Sequence, residues 1–543
     1  MIGAGFGGLG VAHALQQAGV TDVTVLERSD AVGGVWRENT YPGAACDVPS
    51  PLYSWSWATN PGWSRRYSAQ PEILDYIERT AAETGLLGKV RTGTAVTGLT
   101  WDGRWQVATT TGTYDADVVV AAVGQLSEPV VPAIAGADTF AGPAFHSAQW
   151  RHDVDLRGRR VAVVGTGASA VQFVPGIVDE VGSMTIFQRS APYVVLRPDR
   201  LYSRLHHRLF RHFPAVLAGE RRATYELTEL FNRALEGTSR VGRPLMAAIK
   251  AVWRLHLRRQ VRDPDLRRRL VPDYPLGCKR LLFSNDWYPA LDRDHVDVVG
   301  ERVTGIEPTG VRTADGRLHE VDVLIWGTGF AAKDYLGSID VRGVGGVALR
   351  DVWSGGARAH LGLAVPGFPN LFCVYGPNTN LGGSSIIQML EAQAGWIAQV
   401  ARGIADGRGP ALAVRREVWA DGARAHLGLT VPGFPNLFCV YGPNTNLGGS
   451  SIIQMLEAQA GWIAEVVRRI ADGQVRHVAV RREAWDAYDR EMQGRLGTGI
   501  WSHCDSWYRD GARITTNWPG QVAEYQRRLS TVDWSELEEL SSR

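Results

Sequence analysis

Three stretches decide the fold: Met1-Ile2-Gly3-Ala4-Gly5-Phe6-Gly7-Gly8, Arg160-Val161-Ala162-Val163-Val164-Gly165-Thr166-Gly167, and Val321-Asp322-Val323-Leu324-Ile325-Trp326-Gly327-Thr328-Gly329-Phe330. Each reads as a strand running into a tight glycine turn. Unbroken apolar runs of this kind suit parallel strands covered on both faces. Helical patterns follow the first two. The expected fold is α/β, with two Rossmann-like dinucleotide-binding domains.

Gly3-x-Gly5-x-x-Gly8 has the spacing of a dinucleotide fingerprint. The first glycine permits the turn, the second lets a pyrophosphate approach the backbone, and the third lets helix pack on strand. Free N–H groups at the helix N-terminus then face the phosphates. The pattern alone is weak, but Glu27 stands 19 residues beyond Gly8, at the end of Val23-Thr24-Val25-Leu26. A carboxylate there accepts ribose hydroxyls. Met1-Ile2 is short for a central strand, which ordinarily runs about five residues. Either the true start lies upstream or that strand is incomplete.

Gly165-x-Gly167-x-x-Ala170 follows a complete strand. The matching strand end, Met184 to Arg189, carries Arg189 where the first unit carries Glu27. An arginine there suits the 2′-phosphate of NADP, and Lys279 is a candidate second cation. Two such sites suggest a flavin reduced by a nicotinamide. Disulfide reductases share that plan but need a redox cysteine pair close after the first fingerprint. Cys46 has no partner nearby.

Moving outward, the chain of 543 residues is 45% hydrophobic and 21% charged, ordinary for a soluble globular protein. Its net charge of +2 gives no general attraction to nucleic acid or an anionic membrane. Five scattered cysteines, with no CxxC pair, argue against a disulfide framework and for a reducing, cytoplasmic setting. No apolar run approaches the length of a membrane span, and no signal-peptide pattern opens the chain. No metal site is expected. His206, His207, His212 and His256 lack partners at ligand spacing and read as surface histidines. Leu201 to Leu270 reads as a helical insertion, and its arginines from Arg254 to Arg269 as a solvated face.

The expected layout is a first FAD-domain part over 1–135, a linker over 136–155, an NADP domain over 156–325 and a second FAD-domain part over 326–543. The insertion falls at about 200–272, inside the NADP domain. The last part holds a tandem duplication, 356–421 and 422–487. Gly356–Gly407 and Gly422–Gly473 differ at four positions: Ala364/Thr430, Gln399/Glu465, Ala401/Val467 and Gly403/Arg469. Solenoids need at least three diverged units, so recent duplication or a fault in the recorded sequence explains the repeat better. Each copy reads as strand, GPNTNLGG turn and helix. Only one copy can fill a given place in a sheet; the other is surplus.

Between the two units, Phe140, Gly142, His146 and Trp150 match the FxGxxxHxxxW fingerprint of type I Baeyer–Villiger monooxygenases. Arg151 stands where that family ordinarily has Pro or Asp. The resemblance runs over nearly the whole chain. It takes in Gly33-Gly34-Val35-Trp36, Tyr41 to Asp47, Gly277-Cys278-Lys279-Arg280, Gly327-Thr328-Gly329-Phe330, and the Gly376–Leu381 turn with its repeat at Gly442–Leu447. Ser506-Trp507-Tyr508 and Trp518-Pro519-Gly520 are similar to the family's C-terminus.

The resemblance implies FAD and NADPH as cofactors, with a ketone and molecular oxygen as substrates. It implies oxidation to an ester or lactone through a peroxyflavin. It makes Arg280 the active-site cation and Asp47 its carboxylate partner. It sets Gly34, Trp36, Asp47, Asn380 and Asn446 on the flavin side and Lys279 at the NADP phosphate. His146 takes a structural or conformational role. The chemistry asks for a fixed cation, because both the attacking peroxide and the tetrahedral adduct carry negative charge. Two alternatives stand beside this reading: a related N- or S-oxygenating flavin monooxygenase, and a defective nucleotide-binding chain without catalysis.

Overall fold

The computed structural model describes residues 1–235, 242–276, 279–331, 334–354, 367–376, 385–406 and 478–498, with short stretches among 357–365, 426–475 and 509–539. Helix α1 (Phe6–Gln17) follows the first glycine turn, α2 (Gln70–Glu83) lies beyond a single turn of helix at Val35–Glu38, and α3 (Ala168–Ile177) follows the second glycine turn. The insertion holds α4 (Arg204–His212), α5 (Pro214–Leu235), α6 (Gly242–Gln260) and α7 (Pro264–Arg269). Toward the C-terminus lie α8 (Ile386–Ala405), α9 (Arg482–Gly497) and α10 (Val522–Leu529). No described helix is long and apolar enough to cross a membrane.

The first unit sets five parallel segments side by side: Val90–Arg91, Val25–Leu26, Ile2, Val119–Ala121 and Leu371–Cys373. The short first segment still completes the ladder on both flanks. Ile2 N–H donates to Val120 O, Gly3 N–H to Leu26 O, Leu26 N–H to Met1 O and Ala122 N–H to Ile2 O, each at 2.8 Å.

The second unit is a parallel sheet in the order 296–299, 183–187, 160–164, 323–326, 144–146. Its core strands Val161–Val164 and Val323–Trp326 are buried throughout, as their unbroken apolar runs require. The third deciding stretch thus belongs to this sheet. Ala144–His146, read from sequence as linker, forms its edge strand beside Leu324–Trp326.

The two copies of the repeat occupy different places. In the first, Leu371–Cys373 pairs with Val119–Ala121, and Ala394, Ile397, Ala398 and Ala401 of α8 share one buried cluster with Leu9 and Ala12 of α1. In the second, Leu427, Trp462 and Val466 join a separate cluster with Trp485, Tyr488, Met492, Tyr525 and Leu529. His426 Nε2 lies 2.8 Å from Glu536 Oε2, and the Arg469 guanidinium stands 4.2 Å over the Trp534 ring.

In the insertion, α6 buries Trp253, His256 and Leu257 and exposes Arg254, Arg258 and Arg259. The arginine stretch is a solvated face there, as expected. His256 departs from its surface reading. It shares the inward face with its neighbours at helical spacing, and its ring meets Tyr288.

Candidate active site

Both glycine turns are shaped by close backbone approach. Gly3 adopts φ +97°, and a Cβ on Gly8 would stand 1.9 Å from Gly3 O. Gly165 adopts φ +107°, against Gly327 O. Gly5 and Gly167 are the N-cap residues of α1 and α3, and neither helix start has a side-chain cap. The first N–H groups of both helices are therefore left for an anion. Ala170 is fully buried against Gly327, as the third fingerprint position demands. At the start of α8, the Ser385 hydroxyl is buried without a hydrogen-bond partner among the described residues.

Glu27 is buried at its strand end. It accepts from Ala4 N–H at 2.7 Å and Ser29 N–H at 2.9 Å. Its carboxylate therefore braces the glycine turn itself, with lone pairs left for a ribose. Gly34 folds back onto Gly5 with φ +54°, and Trp36 donates from Nε1 to the Tyr53 hydroxyl at 3.2 Å.

On the second unit, Arg189 is exposed just past strand 183–187. Lys279 donates to Ser190 Oγ at 3.1 Å and lies 4.3 Å over the Tyr274 ring. The structure thus brings the two expected cations to one strand end.

Arg280 Nη2 donates to Asp47 Oδ1 at 2.8 Å. The arginine follows the insertion on the second unit; the carboxylate belongs to the first. Asp47 holds the guanidinium charged, against the opposing cost of burial, and the Tyr375, Cys46 and Tyr53 side chains lie within its electrostatic reach. Half of the Arg280 side chain stays accessible, against a fifth of Asp47, so the cation presents the open face. Tyr375 is itself unusual: a non-glycine residue at φ +55°. Its backbone is held by Gln393 and Gln125, and burial pushes its phenol up to about 12.

His146 is buried, and its Nδ1 accepts from Ala148 N–H at 3.1 Å. Burial lowers its pKa, so the ring is neutral with its proton on Nε2. It packs edge-on to Phe330 in the Gly327–Phe330 turn, while Trp150 packs on Phe145 and Phe173. This supports a structural place for the fingerprint histidine.

Sequence reasoning missed Gln172. From α3 it accepts from Tyr41 OH and Ala45 N–H and donates to Ala45 O at 2.9 Å. A Cβ on Gly43 would meet Gln172 O at 2.6 Å. The segment leading to Asp47 is thus clasped to the second unit's helix. The Tyr-Pro-Gly turn was the available signal, since it marks a tight backbone approach. Asn380 and Asn446 lie outside the described residues, as do Cys278 and residues 506–508.

Cys46 and Cys373 are free and buried, so neither supplies a redox pair. Residues 1–203 match the family described as pyridine nucleotide-disulphide oxidoreductase. The chain is 38% identical over 546 residues to a Baeyer-Villiger monooxygenase of Streptomyces coelicolor, covering 99% of this chain and 92% of that one. It is 42% identical over 401 residues to a Baeyer-Villiger monooxygenase of Pseudomonas aeruginosa, covering 73% and 75%. Among solved structures, an oxidized steroid monooxygenase bound to NADP superposes with TM-score 0.68 at 27% identity, over 100% of this chain and 99% of that one. A cyclohexanone monooxygenase from Rhodococcus sp. Phi1 bound to NADP+ superposes with TM-score 0.67 at 25% identity, over 100% and 98%.

Proposed function

Because the chain belongs to the Baeyer–Villiger monooxygenase family, we propose that it places FAD at its first glycine turn and NADPH at its second. It then inserts one atom of molecular oxygen beside a ketone carbonyl. Ketone, O2, NADPH and a proton give ester or lactone, NADP+ and water. The two uncapped helix starts, each behind a backbone cradle that a Cβ would fill, support this reading. So does the Ser385 hydroxyl, buried without a partner among the described residues.

Gly3, Gly5 and Gly8 let a pyrophosphate meet the N–H groups of α1, and Glu27 offers its free lone pairs to a ribose. Gly34 and Trp36 border the same turn. Gly165, Gly167 and Ala170 repeat the arrangement for the nicotinamide dinucleotide, with Arg189 and Lys279 facing its 2′-phosphate. FAD, when bound, accepts hydride and delivers oxygen.

The protein's own part in the chemistry rests on one observation: the Arg280–Asp47 pair that bridges the two units. Arg280 is a permanent cation, and it stabilises the negative charge on the attacking oxygen and on the carbonyl oxygen of the adduct. Asp47 fixes the guanidinium's direction.

The first test is a visible spectrum of the purified protein without oxygen, before and after NADPH. A bound flavin that bleaches on NADPH, followed by ester formation when air and a ketone are admitted, is the expected result. A colourless protein that added FAD fails to restore would sink the proposal and favour a chain without catalysis.

A further inference from the structure

Between Asp199 and Glu220 the chain carries four arginines, three histidines and no acid. This stretch leads into α4 and bends over into α5. Its root is pinned to the first nucleotide unit. Arg65 Nη2 pairs with Asp199 Oδ2 at 2.6 Å, Arg66 N–H donates to Arg200 O at 2.9 Å, and Tyr202 N–H donates to Ser64 O at 2.9 Å. His207 Nε2 donates to Trp63 O at 3.0 Å. Ser203 N–H donates to His206 Nδ1 at 3.1 Å, so the helix start is closed by its own side chains. Tyr202, Phe210 and Leu217 share a buried cluster with Trp63. The inward face of α4 is therefore complete.

The outward face is apolar as well. Leu201, Leu205 and Phe213 are 71%, 65% and 59% exposed. With the half-buried Leu209 they recur at every fourth residue, the step that keeps side chains on one side of a helix. Val216 extends the exposed apolar surface past the bend into α5. Single exposed apolar residues are ordinary, but an aligned row of them along one short helix marks a contact surface. Arg204, Arg208 and Arg211 are exposed on the same helix, and none has an acidic partner among the described residues. Arg200, by contrast, is committed to Glu220 at 2.9 Å.

The two features together select the partner. A second copy meeting this face in a symmetric contact would set arginine against arginine, with no acid in the stretch to separate them. A nucleic acid would take up the arginines and leave the leucines in water. An anionic lipid surface satisfies both: aliphatic side chains enter the acyl boundary while the guanidinium groups stay level with the phosphates.

We infer that α4 is an interfacial helix that docks the protein on an anionic phospholipid surface. Leu201, Leu205 and Phe213 enter the lipid, and Arg204, Arg208 and Arg211 meet the headgroups. The inference goes beyond the monooxygenase reading and does not rest on it. The contact lies along the surface, since no described helix is long and apolar enough to cross a membrane. Because α4 is already pinned at Trp63 to Arg66, little ordering is left to oppose docking.

The test is flotation of the full purified chain with vesicles of phosphatidylcholine alone and of phosphatidylcholine mixed with phosphatidylglycerol, at low and high salt. The mixed vesicles should carry the protein up and the neutral ones far less, with salt narrowing the difference. Leu205→Gln/Phe213→Gln should lower the partition coefficient by roughly tenfold or more. Arg204→Gln/Arg208→Gln should lower it by roughly tenfold. Both pairs replace exposed residues, so the melting temperature should stay native; a pair that loses it is replaced by Leu205→Gln or Arg204→Gln alone.

Failure of the native chain to float with the mixed vesicles overturns the inference. So does equal flotation with both lipids. So does undiminished flotation of Leu205→Gln/Phe213→Gln, which would leave a polyanion patch with no insertion. So does a native dimer in sedimentation velocity that those two glutamines disperse, since the face would then belong to a second copy.

Discussion

At the scale of single residues, Arg280 carries the sharpest expectation. Arg280→Met should cut ester formation by about 10²–10³-fold while flavin reduction by NADPH proceeds, because the lost interaction belongs to developing negative charge. Arg280→Lys should recover only part of it: a lysine keeps the charge and loses the planar fork that meets Asp47. Product analysis beside anaerobic bleaching separates the two steps. A second expectation concerns acid. An unfolded histidine titrates near 6.5, and burial lowers His146 in the fold, as it lowers His13, His256 and His319. Their contribution to stability is therefore whole above about pH 6.5 and is lost as pH falls toward the lowered folded values, where the unfolded chain gains protons first. His146→Asn keeps an acceptor for Ala148 N–H and removes one titration. The fall in melting temperature from pH 7 to pH 5 should then shrink; an unchanged fall would exclude His146 from the effect. The residues legible in the sequence were those whose chemistry is announced by type: Glu27 and Arg189 at strand ends, and Arg280 and Asp47 through the family motif. Gln172 was not, because an amide gains its meaning only from what it touches.

At the scale of elements, the described residues of the two copies of the repeat have different surroundings. Ala401 is buried in the cluster that joins α8 to α1, and the second copy has valine at the matching position 467. Arg469 replaces Gly403 and Glu465 replaces Gln399; those two side chains lie 3.3 Å apart, and Arg469 covers Trp534 of the C-terminal stretch. Ala401→Val should overpack the α8–α1 contact at a cost of about 1–3 kcal/mol, lowering the melting temperature and loosening flavin. Arg469→Gly should leave the flavin in place and cost about 0.5–1 kcal/mol at the C-terminal contact, seen as faster proteolysis there. The reverse pattern would mean that the copies have exchanged places. The glycine turns and the insertion were readable because backbone sterics and helical spacing are local. The edge strand at Ala144–His146 was hidden: three residues carry no periodicity, and their pairing with Leu324–Trp326 is remote in the chain.

At the scale of the whole molecule, the two nucleotide units and the insertion meet around a short stretch of the first unit, residues 41 to 56. Gln172 clasps its start, Arg280 reaches Asp47 in its middle, and Arg221 holds its end. Of the duplicated segment, the described residues of the second copy join the C-terminal cluster, and Glu391 of the first copy accepts from Ser56 N–H at this junction at 2.6 Å. The junction has a mechanical consequence. The cation and its carboxylate sit on different units, so the ion pair is a contact that reports closure. Any rotation that parts the units to exchange the dinucleotide also draws Arg280 away from Asp47. On the role proposed for Arg280, the site then works as an interlock: the charge that would make oxygen transfer productive is in place only while both halves are shut, and an opened protein has its safety catch on.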